Sequence, residues 1–121
     1  MAEEHDSLED HYRHRFMRRG YRDAKCPVKT MRPDLFMSKH TRSGKIINEI
    51  IAEVEIESTL FKDHTTGQLL DMADYIRQQK KKKVGVRGYL IVPRGKNVLV
   101  QARMLIKPLF LDDRPITILQ P

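Results

Sequence analysis

The sequence predicts an α/β domain, a mixed sheet with helices on its faces, its elements running α-β-β-β-α-β-α-β. Three observations carry this. Segments whose apolar residues recur at helical spacing alternate along the chain with short apolar or strictly alternating runs of strand length. Polar turns rich in Gly, Pro and Ser separate them. At 121 residues, 40% apolar and 32% charged, the chain has the size and composition of one globular domain, residues 1–121, with no room for a second.

The first helix is expected over residues 7–19, where Leu8, Tyr12 and Phe16 share one face, Ser7 is a suitable N-cap and Gly20 a stop. An extended stretch follows over 21–28. Pro33 fixes the start of a second strand, 34–38, and Arg42-Ser43-Gly44-Lys45 is a polar turn into a third. That third strand, 46–57, opens with Ile46, Ile47, Ile50 and Ile51 and then alternates, which puts Glu53, Glu55 and Glu57 on one face. Thr65-Thr66-Gly67 opens a helix reaching about Lys81, with Leu69, Met72, Ala73 and Ile76 as its apolar face and basic residues in its last turn. Residues 84–92 end in Tyr-Leu-Ile-Val, the continuous apolar run of a strand covered on both faces. After the turn Pro93-Arg94-Gly95, residues 96–106 suit a third helix that buries Val98, Leu99, Ala102, Leu105 and Ile106 and is ended by Pro108. Residues 115–119 form a closing strand.

Composition narrows the function. No apolar run approaches the roughly 18 residues of a membrane span, and the opening Met-Ala-Glu-Glu-His-Asp is acidic where a signal peptide is basic and then apolar. The single cysteine, Cys26, excludes an internal disulfide and a multi-Cys zinc site. A soluble cytoplasmic protein with no membrane partner is expected. The net charge is +7 and unevenly spread: residues 77–111 carry ten Lys or Arg and no acid, whereas residues 34–74 hold eight acids against four bases. A basic surface attracts a phosphate backbone, and a knot of carboxylates repels it unless cations bridge the two. The pairing implies a polyanion together with a divalent metal.

Three glutamates on one strand face are costly, because adjacent like charges disfavour each other's ionisation. A solvated edge strand would explain them, but the four isoleucines at the start of the strand place it inside the sheet. Carboxylates at the end of a buried strand suit a hard cation such as Mg²⁺ or Mn²⁺. Asp34 begins the neighbouring strand, and a hairpin through Gly44 brings it towards Glu53.

Pro33-Asp34, then Glu53-Val54-Glu55 about twenty residues later at the end of an apolar strand, then a helix containing Gln68, together resemble the core motif of the PD-(D/E)XK nuclease superfamily, which includes Holliday junction resolvases, many type II restriction enzymes and small archaeal and viral nucleases. The resemblance extends over most of the chain and implies a restriction endonuclease-like three-layer core. It also implies metal-dependent endonuclease activity on duplex or branched DNA, with Mg²⁺ or Mn²⁺ held by Asp34 and Glu53, and by Glu9 on the first helix. Glu55 stands where most of the family has a lysine, a known variant, and Lys62 is a candidate to supply the missing charge. A second register, with Glu55 as ligand and Glu57 in the lysine position, fits the motif equally well. Gln68 resembles a glutamine used near the site in some subfamilies, although the tyrosine expected one turn later is Met72.

On this reading the catalytic groups are Asp34, Glu53 and Glu55, with water activated by the metal and Glu55 as general base or second-ion ligand. Phosphate contacts are expected from Arg13, Arg18 and Arg19 on the first helix and from Lys80, Lys81, Lys82, Lys83, Arg87, Arg94, Lys96 and Arg103. So small a domain would cut both strands as a homodimer. The alternative is a catalytically inactive nucleic-acid-binding protein on the same fold. The histidines form no zinc pattern: His11 and His14 suit a solvated helix face, and His5, His40 and His64 are scattered. Cys26 reads as a small core residue, having no partner pattern for a nucleophile.

Overall fold

Eight elements follow one another in the computed structural model, which describes residues 2–110 and 113–121. They are α1 (Ala2–Met17), β1 (Arg22–Asp23), β2 (Leu35–His40), β3 (Ile46–Val54), α2 (Asp63–Lys81), β4 (Gly85–Ile91), α3 (Lys96–Ile106) and β5 (Ile116–Leu119). The strands form one sheet in the order β1-β2-β3-β4-β5. β1, β2 and β3 pair antiparallel, whereas β3, β4 and β5 pair parallel. Both parallel steps move across the sheet in the same direction, so crossovers of one hand carry α2 and α3 to the same face. α1 packs against the other face, which gives three layers.

The period-two pattern of β3 sorts its side chains between these layers. Ile50, Ala52, Val54 and Ile56 pack with Leu8, Tyr12 and Phe16 of α1. Ile51 packs with Phe36 and with Leu69, Met72 and Ile76 of α2. On Ile51's side of the strand also lies Glu49, which is buried and accepts hydrogen bonds from the Tyr75 hydroxyl and the Gln79 amide, both at 2.8 Å. As the third strand of five, β3 is central. Ile46 and Ile47 are nonetheless exposed, because β4 begins to pair only at Asn48.

Several boundaries differ from the expectation. α1 begins at Ala2, so Ser7 lies within the helix; the run Ala-Glu-Glu is helix-favouring, and Glu3 and Glu4 complement the dipole of the first turn. Only Arg22–Asp23 of the extended stretch pairs in the sheet, and the chain from 24 to 34 is a loop. β3 ends at Val54, with one further ladder bond from the Glu55 N–H to the Ile91 carbonyl. Glu57 therefore does not continue the glutamate face: it lies exposed in the following turn and accepts a hydrogen bond from Gln101. On α3, Val98, Ala102 and Leu105 are buried, whereas Leu99 and Ile106 are half-buried. No helix is long and apolar enough to cross a membrane among the described residues.

Candidate active site

Pairing register brings the motif residues together. Leu35 pairs with Ala52 and Phe36 with Ile51, so one step further Asp34 stands across from Glu53. Beyond the last paired residues of the hairpin the Val54 N–H is received by a side chain in place of a backbone carbonyl: Asp34 Oδ2 accepts it at 2.8 Å. Two carboxyl groups directly opposite one another repel when both are ionised. Glu53 resolves the conflict by staying protonated. Burial first, then the Asp34 charge beside it, the proton it shares with Asp34 and the Glu55 charge push its carboxyl up to about 9. The group is 2% exposed, and Glu53 Oε1 has no hydrogen-bond partner among the described residues.

Glu55 follows on the same side. It is buried, which raises its pKa, as does Asp34; the hydroxyls of Thr59 and Thr65 and the nearby His64 act in the opposite direction by favouring the ionised form. From the other layer, α1 contributes two groups one turn apart. His5 Nε2 lies 3.3 Å from Asp34 Oδ2, and ligand atoms of His5, Glu9 and Asp34 all fall within 4.8 Å of one another. Burial lowers the pKa of His5, but Asp34, Asp6 and Glu9 outweigh it and the net shift is upward. Glu9 is also held by Arg13 at 3.2 Å, and that guanidinium further engages Asp10 and Asp23.

Asp34 thus belongs to two sets, with Glu53 and Glu55 at the carboxyl end of β3 and with Glu9 and His5 from α1. His5 went unrecognised because the helix was expected to start at Ser7. The spacing of His5 and Glu9 at i and i+4 is the available signal once the helix begins at Ala2. Gln68 is half-buried and lines, with Glu53, Asp71 and Met72, a cavity of about 220 Å³ whose opposite wall is the chain from Thr30 to Pro33. Glu57 lies outside both sets. Lys62, exposed just before α2, makes no ion pair among the described residues.

The basic residues divide by position. Arg94 and Lys96 follow the carboxyl end of β4, at the same end of the sheet as the carboxylates. α2 starts at that end and its eighteen-residue rise carries Lys80 and Lys81, with Lys82 and Lys83 beyond, about 27 Å away. Arg103 lies in the last turn of α3, which also runs away from the site, and Arg87 is exposed on β4. Arg18 and Arg19 are exposed after α1, whereas Arg13 is occupied by its three acids. Three further cations, Lys25, Lys29 and Arg32, are exposed on the loop leading to Asp34. No family model matches the chain, and no curated protein or solved structure matches it significantly.

Proposed function

We propose that this protein is an intracellular, metal-dependent endonuclease that hydrolyses phosphodiester bonds in DNA on a restriction endonuclease-like fold. The observation that carries the reading is the buried Glu53 carboxyl, facing Asp34 across the hairpin with one oxygen unpartnered. A buried carboxyl pair in which both partners cannot be ionised together is a costly arrangement for a fold to keep, and a cation between them removes that cost. The donor set fits a hard divalent ion: carboxylate oxygens of Asp34 and Glu9 and the His5 imidazole, all within 4.8 Å of one another, with Glu53 across from Asp34; an imidazole among the ligands suits Mn²⁺ better than Mg²⁺.

Asp34 and Glu53 would hold the ion from the hairpin, and Glu9 and His5 from α1. When bound, such an ion supplies a water of lowered pKa and neutralises charge gathering on the phosphate. Glu55, buried beside the Thr59 and Thr65 hydroxyls, would take the proton of the attacking water. Arg94 and Lys96 stand at the same end of the sheet, available to phosphates, and a homodimer would present two such sites to the two strands.

The test is cleavage of labelled duplex, single-stranded and four-way-junction DNA with Mg²⁺ or Mn²⁺. Cutting that requires metal and is lost in both Asp34→Ala and Glu53→Ala is the expected result. One observation favours a second reading: Glu55 stands where the resembling family has lysine. Salt-sensitive DNA binding without any cutting would support a binding protein with a silent site.

A further inference from the structure

The loop of residues 24–34 forms one wall of a groove of about 590 Å³ that runs from Asp23 to Asp34. Lys25, Lys29 and Arg32 line it. All three are exposed, and none makes a hydrogen bond or ion pair among the described residues. Arg13, by contrast, is held by Glu9, Asp10 and Asp23, and Arg77 by Asp74 and Asp113. Three uncommitted cations therefore lie within eight residues of one another along a groove that ends at a carboxylate of the site. Between them the lining includes the apolar Val28, Met31 and Phe36, with the carboxylates of Asp23 and Asp34 also bordering the groove. Met31, Arg32 and Pro33 border both this groove and the cavity beside Glu53, so the two are neighbours across this segment.

We propose that this groove is the track for an unpaired strand of nucleic acid next to the cleavage point, its phosphates on Lys25, Lys29 and Arg32 and its bases against the apolar side chains between them. The proposal rests on the nuclease reading for the scissile position only. A duplex keeps its base faces stacked within itself and meets proteins with a convex surface, so an apolar concavity offers it little. An unpaired strand has free base faces as well as a phosphate chain, and a cationic rim with apolar side chains between matches both. The rim also offsets the repulsion that the carboxylates exert on an approaching polyanion.

Equilibrium binding of the full chain, in EDTA to prevent cutting, to a fluorescent single strand of about six nucleotides and to a duplex of the same length tests this. The wild type is expected to prefer the single strand. The combined Lys25→Ala, Lys29→Ala and Arg32→Ala variant should weaken binding about tenfold or more near 0.1 M salt and flatten the salt dependence by about two, three phosphates at about 0.7 each. A control of equal charge, Lys80→Ala with Lys81→Ala and Lys82→Ala, should keep most of the slope. Equal losses in the two triple variants, or preference for duplex, would overturn the proposal. Cleavage assays of the same proteins separate the two readings. A groove variant that binds and cuts as the wild type does removes the groove and leaves the nuclease standing. A groove variant that loses binding, in a protein that cuts nothing, removes the nuclease and leaves the groove.

Discussion

Glu53 and Tyr75 show how differently one sheet face can treat a buried polar group. Glu53 is kept neutral, its pKa raised to about 9 against 4.5 in the unfolded chain. Between those values the unfolded chain releases a proton that the folded chain retains, so stability falls with rising pH at about 1.4 kcal/mol per unit for this group and levels off above about 9. Glu53→Gln removes the dependence. In EDTA the variant should match the wild type near pH 4 and melt at progressively higher temperature than it as pH rises towards 9, as thermal denaturation at a series of pH values would reveal. Tyr75 is satisfied by Glu49, whereas the buried Tyr12 hydroxyl has no partner among the described residues. Tyr75→Phe leaves the buried Glu49 Oε1 with the Gln79 amide as its remaining donor among the described residues and should cost about 1–3 kcal/mol in urea unfolding; Tyr12→Phe should be neutral or stabilising.

At the level of elements, the sequence disclosed what periodicity and turn chemistry encode. α3 occupies the expected residues, Lys96–Ile106, because its apolar face and flanking Gly95 and Pro108 mark both ends. α1 begins five residues before the expected N-cap, since acidic helix formers rather than a capping serine open it. That difference hid His5, the one member of the cluster that the sequence did not suggest. The stretch 21–28 looked extended but pairs over two residues only, because partner availability and not local pattern decides a short edge strand. Two backbone positions on either side of the start of β4 should respond oppositely to substitution. Lys83, just past the C-cap of α2, has φ of 62°, a conformation that favours glycine, so Lys83→Gly should stabilise by about 0.5–1 kcal/mol. At Gly88 a Cβ would meet the Ile76 side chain of α2, and would lie 3.0 Å from the Pro115 carbonyl oxygen. Gly88→Ala should therefore destabilise by about 1–3 kcal/mol, and Ile76→Val should recover part of that.

Over the whole molecule, charge is arranged by topology more than by sequence order. The lysine run dominates the linear charge pattern, yet α2 carries it to the end of the sheet remote from the carboxylates. The cations nearest Asp34 along the chain, Lys25, Lys29 and Arg32, are interspersed with apolar residues and drew no notice as a run. The hairpin was legible because a polar turn through Gly44 fixes which strand faces which, and the cross-strand pairing of Asp34 with Glu53 follows from it. Burial of Glu53 was not legible: it depends on α2 closing over that face. Titration calorimetry with Mn²⁺ in buffers of different ionisation enthalpy tests the proposal that this closed carboxyl pair holds a cation. Binding should release a proton below pH 9, tighten as pH rises, and be abolished by Asp34→Asn and by Glu53→Gln. Mn²⁺ uptake without proton release, or of equal strength in all three proteins, would contradict the account.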